Sequence, residues 1–443
     1  MRAKLSLWLY SALMTLAQPL LRRKLFRRSE AEPLYGQFVE ERFGHYANPS
    51  HENWIWVHAV SLGETRTAGI LLKKLRETFP GMKLLLTNGT ATGREEGQKL
   101  LQAGDVQVWQ PWDSAEAVSR FYQAFQPQVG LIMETEVWPN LVHGAHQFNV
   151  PLMLVNARMS DKSMKQALRW PSLMCPTFKG LTGVFAQTKD DEKRLLNLSA
   201  NVRGVLGNLK FDAQPDAAQM ALAQTWRIGM TRPILMLASS REGEELLWLE
   251  AWQNYCQINP NVQIDWLIVP RHPQRVAEVE ELIQSKGLKV SRRSTWRTAG
   301  PEAHREDPAS TLQASRILLG DSLGEMALYY SFAQGALLGG SFEKLGGQNL
   351  IEAAACACPV VMGPHTFNFA EAAQAAEISG AALRVTSMEK AIAVACELVL
   401  NAHRQAGMSS KAMQFAQSHG GATQRTALAV RDLLNQIKGS TGR

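Results

Sequence analysis

Residues 339–364 read GGSFEKLGGQNLIEAAACACPVVMGP, and this stretch decides the fold class. An apolar run, Ala336 to Leu338, stops at Gly339-Gly340, and a short loop carries a second pair, Gly346-Gly347. A helix is predicted from about Asn349, and a second apolar strand, Pro359 to Met362, ends at Gly363-Pro364. Paired glycines carry no Cβ and reach positive φ, so backbone N–H groups can come close to a ligand. A helix N-terminus beside such a loop favours an anion. Strand, glycine loop, helix and strand make half of a nucleotide site in an α/β sheet. The stretch is neither a dinucleotide fingerprint nor a P-loop, since it lacks G-x-G-x-x-G and the chain lacks G-x-x-x-x-G-K-[ST]. Asn349 and Glu352 have the spacing of an N-cap and its capping-box partner, so Glu352 stands open between a cap and a ligand contact.

Outward from this unit, short apolar runs alternate with helical patterns. One set includes Trp54–Ser61, Lys83–Thr87, Val129–Glu134, Pro151–Val155 and Gly183–Gln187; the other includes Pro233–Ala238, Asp265–Val269, Arg316–Leu319, Ala336–Leu338 and Pro359–Met362. Such alternation predicts an α/β protein with two Rossmann-like, doubly wound parallel sheets. Gly207 to Pro233, with Pro215 and a polar helical stretch between, is the predicted hinge, which places one domain at 29–212 and the other at 213–443. Two such domains are expected to face each other across a ligand-binding cleft. The polar run Arg292–Ala309 is predicted to be a surface loop.

Ligands of open parallel sheets lie at the carboxyl ends of the strands, so the residues there are the candidates. Ser61-Leu62-Gly63-Glu64-Thr65 follows the first strand, with Gly63 read as a turn residue. Glu64 is a candidate general base or a first-turn carboxylate stabilised by the helix dipole. Met133-Glu134-Thr135-Glu136-Val137-Trp138-Pro139-Asn140 puts two carboxylates at another strand end, where a partner is needed; Arg158 is one candidate partner. Lys210, in Gly207–Asp212, is either a cation for the site or a solvated lysine. In the second half, Ser239–Glu244, Pro270-Arg271-His272-Pro273 and Gly320-Asp321-Ser322-Leu323-Gly324-Glu325-Met326 follow strands and converge on the glycine loop. Arg271 suits phosphate because its planar fork donates paired hydrogen bonds. Strand ends decorated with Gly, Ser, Arg and Glu point to a nucleotide-sugar site.

The formal net charge is +7, yet the seven basic residues among the first 28, unopposed by any acid, account for all of it. The remainder is neutral, which argues against nucleic acid as a partner. The same segment holds 17 uncharged residues, Leu5 to Leu21, before the cluster Arg22, Arg23, Lys24, Arg27 and Arg28. With Trp8 and Tyr10 suited to an interface, residues 1–28 read as a membrane anchor that holds the body at anionic lipid on the cytoplasmic face; the alternative is a docking helix packed on the protein itself. Five cysteines without a C-x-x-C, two of them (Cys356 and Cys358) in a small-residue helix, fit a reducing compartment. His143 and His146 lack a third ligand nearby, and no Asp-x-Asp is present, so no metal is expected; G-x-S-x-G is absent too.

SLGET at 61–65, METEVWPN at 133–140, GNLKFD at 207–212, PRHP at 270–273, GDSLGEM at 320–326, GGSFEKLGGQNLIEAAA at 339–355 and MGPHTFNF at 362–369 resemble, in order and over nearly the whole chain, the bacterial 3-deoxy-D-manno-octulosonic acid (Kdo) transferases of lipopolysaccharide assembly. The resemblance implies a GT-B glycosyltransferase of the inner membrane that moves Kdo from CMP-Kdo to a lipid A precursor, with inversion and without a bound metal or other cofactor. It implies Glu64 as general base, with Glu134 and Lys210 supporting the transition state. It implies Arg271, His272, Leu323, Gly324, Glu325, Gly346, Gly347, Asn349 and Glu352 at the CMP site. The family shows His where this chain has Gln348, and Thr-His where it has Ser240-Arg241. A GT-B transferase of another nucleotide sugar and a catalytically silent membrane scaffold are the competing readings.

Overall fold

The computed structural model describes residues 2–296, 300–301 and 316–441. The chain forms two compact units, Met1–Asp212 with Gly420–Arg443, and Ala213–His419. The division between the units falls after Asp212, and residues 420–443 group with the first unit.

In the first unit seven strands form one sheet: β1 (Trp54–His58), β2 (Lys83–Asn88), β3 (Val106–Trp109), β4 (Val129–Met133), β5 (Leu152–Ala157), β6 (Gly183–Ala186) and β7 (Val202–Val205). Their order is β3-β2-β1-β4-β5-β6-β7, with every pair parallel. Direction of winding reverses between β1 and β4, the place where such sheets open a crevice. Both strands are buried along their full length, because helices cover both faces. Gly130 in β4 is required by packing: a Cβ there would stand 2.5 Å from the Trp56 ring and from Leu152. The C-terminal helix Ala422–Thr441 completes one face, adding Ala422, Ala427, Val430, Leu433 and Leu434 to the core of Val57, Leu71, Leu75 and Phe185. Asp212 ties that helix down, accepting from the N–H groups of Gly421 and Thr423 and from the Thr423 hydroxyl.

The second unit repeats the plan with β8 (Ile234–Ser240), β9 (Asp265–Pro270), β10 (Val290–Arg292), β11 (Ile317–Leu319), β12 (Gly335–Leu338), β13 (Val360–Met362) and β14 (Ala382–Arg384). The order is β10-β11-β9-β8-β12-β13-β14, again parallel throughout. Trp248, Trp252 and Trp266 fill its core with edge-on contacts. Gly339, just past β12, lies so close to β8 that a Cβ would stand 2.3 Å from the Ser239 carbonyl oxygen. The reading of 292–309 as a loop lies largely outside the described residues; Arg292 closes β10, and Arg293–Thr295 form a short 3-10 turn. Cys356 ends the helix Leu350–Ala355, and Cys358 lies beyond it, so neither is within it as expected. The five cysteines are free thiols.

The N-terminal segment departs from a single anchor of 28 residues. It forms two helices, Arg2–Leu16 and Gln18–Ala31, and the second runs past residue 28. Among the described residues no helix is long and apolar enough to cross a membrane. The second helix docks on the body: Arg22 makes a two-pronged pair with Glu40 and lies over Phe43, Arg28 lies over Tyr35, and Leu25 is buried with Tyr35 and Ala91. Two of the basic residues assigned to lipid are therefore engaged by the protein.

Asp212→Ala removes a charged acceptor from a helix start, which costs about 1–2 kcal/mol. Urea denaturation followed by the fluorescence of Trp54 and Trp56 is expected to show a lower midpoint with an unchanged second-unit transition; an unaltered midpoint would mean that Asp212 does not hold the C-terminal helix.

Candidate functional site

At the β1 end, Ser61 is the N-cap of the helix Leu62–Thr78, and its hydroxyl oxygen accepts from the Glu64 N–H at 3.3 Å. Gly63 lies inside the first helical turn, not in a tight turn. The Glu64 carboxylate folds back, taking the Ser61 hydroxyl at 3.1 Å and the Val60 N–H at 2.9 Å. The capping and catalytic readings therefore describe one side chain. Burial pushes the Glu64 carboxyl up to about 7, against the lowering effect of the Val60 N–H, and the negative charges of Glu134 and Glu136 push it further. A carboxyl held there changes protonation near neutral pH, as a general base must.

Glu134 follows β4 with φ at +56°, a left-handed conformation that costs a non-glycine residue energy. Its N–H donates to Val155 O, and its carbonyl accepts from the Arg158 N–H, so β5 holds the bend on both sides. Its side chain pairs with Lys210 rather than with Arg158: Nζ lies 3.1 Å from Oε1, off the direction of a straight hydrogen bond. Lys210 reaches this place through Asn156, a residue that the sequence reading left without a role. Asn156 is buried at the end of β5 with φ at +53°, and its Oδ1 accepts from the Leu209 N–H at 3.1 Å. That bond, and the fully buried Leu209, fix the 3-10 turn Leu209–Asp212 that carries Lys210. The Glu136 carboxyl is also raised by burial, and it accepts from the Trp138 indole at 2.9 Å. Glu64, Glu134 and Lys210 thus come together at the winding reversal of the first sheet.

In the second unit the strand ends assemble differently from expectation. Glu244, named in the strand-end run Ser239–Glu244 but without a role of its own, is buried and holds the glycine loop: it accepts from the N–H groups of Arg241 (2.9 Å), Gly340 (2.6 Å) and Phe342 (3.1 Å). Burial raises its carboxyl above the ordinary range. The N–H groups of Gly347 and Gln348 are taken by Gly340 O (2.7 Å) and Gly339 O (3.0 Å). The N–H groups of Gly340, Gly347 and Gln348 are thus engaged within the protein. Gly346 has φ at +89° and packs so tightly that a Cβ would meet the Asn368 amide at 2.5 Å. Asn349 caps the helix Leu350–Ala355 through the Ile351 N–H (3.1 Å), and its amide donates to Glu352 at 3.0 Å. Glu352 therefore serves the cap through the Asn349 side chain.

Four arginines stand past the ends of β8, β9 and β10. Arg241 pairs with Glu242, Arg275 with Glu245 and Glu278, and Arg293 with Glu325. Arg271 is exposed just past β9, held by its N–H to Ser240 O at 2.9 Å, and its guanidinium has no partner among the described residues. Partial burial, then Arg241 and Arg271, keeps the neighbouring His272 below the ordinary histidine range. Gly324 has φ at +80° and its carbonyl accepts from Gln219, which leaves Leu323 exposed at the tip of the turn. Among the described residues no three His, Cys, Asp or Glu side chains group to hold a metal ion.

Residues 37–213 match the family described as 3-deoxy-D-manno-octulosonic-acid transferase (kdotransferase). The chain is 43% identical to the 3-deoxy-D-manno-octulosonic acid transferase of Bordetella pertussis over 86% of its length and 87% of that protein's. It is 31% identical to that of Haemophilus influenzae, over 88% and 90%. Its fold is like that of a glycosyltransferase from Rickettsia africae, with a TM-score of 0.56 over 86% of this chain and 99% of that one, at 14% identity. The two parallel-sheet units with this likeness make a GT-B-like architecture.

Carbon-13 NMR of the Glu64 carboxyl is expected to give a midpoint near 7. In Glu134→Gln one repelling charge is gone, so the midpoint should fall; a midpoint near 4.5 already in the unaltered protein would remove the case for a tuned carboxyl.

Proposed function

Because this chain belongs to the 3-deoxy-D-manno-octulosonic acid (Kdo) transferase family and is a glycosyltransferase, we propose that it moves Kdo from CMP-Kdo to a hydroxyl of a lipid A precursor of the lipid IVA type. The observation that carries the mechanism is the Glu64 carboxyl, held near 7 beside the Glu134–Lys210 pair. In this reading the acceptor oxygen bonds to the anomeric carbon of Kdo while the bond from that carbon to the CMP phosphate breaks, with inversion. Glu64 takes the hydroxyl proton, and CMP leaves with the electron pair. Lys210, oriented by Glu134, supports the charge that develops as the donor bond breaks. On the second unit Arg271 is the guanidinium available to the CMP phosphate, with His272 beside it and Leu323, Gly324, Glu325 and Asn349 on neighbouring strand ends. Glu244 holds the glycine loop at that edge, with Gly346 and Gly347 in the loop. The reading includes no resident metal or organic cofactor.

The acceptor is a lipid, and the N-terminal helices carry a surface suited to one. Leu5, Trp8, Leu9, Leu13, Leu16 and Leu20 recur at helical spacing, and all are exposed, Leu13 by 64%, Leu16 by 78% and Leu20 by 70%. Arg23, Lys24 and Arg27 are exposed on the next helix, away from the docked face of Arg22, Leu25 and Arg28. An apolar stripe beside free cations fits the surface of an anionic leaflet, with the helices lying on it. In this reading the protein works on the cytoplasmic face of the inner membrane.

Glu64→Gln should lower Kdo transfer by about 100-fold or more while CMP binding persists, followed by mass spectrometry of the glycolipid product. Arg271→Ala should weaken CMP binding by about 1.5–3 kcal/mol in calorimetry. Retained turnover in the first variant, or retained affinity in the second, would take that residue out of its role. A different nucleotide-sugar preference in the same assay would replace the Kdo reading. Trp8→Glu with Leu13→Glu should release the protein from anionic vesicles; unchanged vesicle binding would move the membrane contact elsewhere.

A further inference from the structure

The loop Glu134–Trp138 sets the charge around Glu64, yet its own backbone bonds are few. The Glu134 N–H and carbonyl are held by β5, the Val137 N–H reaches Thr135 O, and the Trp138 indole reaches Glu136. The far end of the loop is fixed where Pro139 begins the next helix, Pro139–Gln147. There the two oxygens of Asp113 accept from the N–H groups of Asn140 (2.9 Å) and Leu141 (2.8 Å), and the Asn140 amide donates to Asp113 O at 2.6 Å. Asp113 and Asn140 are both buried. This leaves Asn140 Oδ1 as a buried acceptor, and the donor facing it comes from the N-terminal helix: the Ser11 hydroxyl, at 2.7 Å, whose one proton is shared between Asn140 and the carbonyl of Leu7 at 2.8 Å. The Tyr10 hydroxyl of the same helix is buried against the Asp113 carboxyl and interacts with it, off the geometry of a straight hydrogen bond. Gln18 adds a contact of 3.5 Å to Ser114, the N-cap that follows Asp113.

We propose that the N-terminal helix is a working part of the catalytic unit: Tyr10 and Ser11 seat Asp113 and Asn140, and that seat holds the Glu134–Trp138 loop against Glu64. Tyr10, Ser11, Asp113 and Asn140 are positioning residues. Only Pro139, whose φ is fixed, separates Asn140 from Trp138, so a shift of Asn140 passes directly into the loop. Burial pushes the Asp113 carboxyl up to about 6, which fits a carboxylate enclosed by a packed-down helix. The groups facing Glu64 are Glu134 and Glu136 from the loop, Lys210 through its pair with Glu134, and Val60 N–H and the Ser61 hydroxyl from its own turn. A loosened loop changes the first three and leaves the last two. The consequence for turnover rests on Glu64 as the base of the proposed reaction.

The test uses full-length protein and detergent-dispersed acceptor, so that membrane attachment is not what is read. In the double variant Tyr10→Phe, Ser11→Ala the kcat for Kdo transfer is expected to fall roughly three- to tenfold, as for one or two lost hydrogen bonds. CMP affinity should stay unchanged. The carbon-13 titration midpoint of Glu64 should fall below its starting value, because Glu134 and Glu136 no longer stand as close. Ser11→Thr, which keeps the hydroxyl, should restore both readouts relative to Ser11→Ala. A lower melting temperature with unchanged Glu64 titration and unchanged kcat would make the knot merely structural and overturn the proposal. Should the double variant fail to fold, Ser11→Ala alone decides on the same two readouts. Absence of Kdo transfer by the unaltered enzyme would count against the Kdo reading alone, since Glu64 is titrated without substrate.

Discussion

Every strand in both sheets runs parallel to its neighbours, and that single constraint organises the rest of the molecule. A parallel sheet delivers all strand carboxyl ends to one edge, and winding outward in both directions from a central strand leaves a gap in the helical cover at that edge. In the first unit the gap falls between β1 and β4, whose ends carry Glu64 and Glu134. In the second it falls between β8 and β12, whose ends carry Glu244 and the paired glycines. The same geometry has opposite uses. The first edge keeps the Glu64 carboxyl near a change of protonation, whereas at the second edge a carboxylate is spent on fixing a loop.

The ten strands read in the sequence are the five interior strands of each sheet, and the four missed ones, β3, β7, β10 and β14, are the four edges. An interior strand of a parallel sheet is covered on both faces and reads as a continuous apolar run, such as Trp54–His58 or Ile234–Ala238. An edge strand is short and partly wet, so Val202-Arg203-Gly204-Val205 and Val290-Ser291-Arg292 carry charges that break the run. The return of the C-terminal helix to the first unit left no local signal at all. What draws it back is a core shared with residues more than 200 positions earlier and a carboxylate at Asp212.

The candidate base and its two companions were legible because Glu and Lys at strand ends are unusual, and because their motifs resemble a family. Their supports were not. Asn156, Asp113 and Glu244 act by accepting from backbone N–H groups of segments distant in the chain, and nothing local marks a side chain for that task. The glycine pairs were read as a phosphate cradle from composition alone. Whether an N–H is offered or already taken depends on the fold of the loop, and here the Gly339 and Gly340 carbonyls and Glu244 take those of Gln348, Gly347 and Gly340.

The first unit is built from two pieces of chain, residues 1–212 and 420–443, with the whole of the second unit between them. During synthesis residues 213–419 are continuous and can reach their final packing as soon as they clear the ribosome. The first unit cannot. Until the last helix arrives, the faces of Leu71, Leu75 and Phe185 that it covers are uncapped, and the turn carrying Lys210 lacks the helix start that Asp212 grips. The half of the protein that is made first is therefore finished last, and the lysine beside the candidate base gains its full support only in a complete chain.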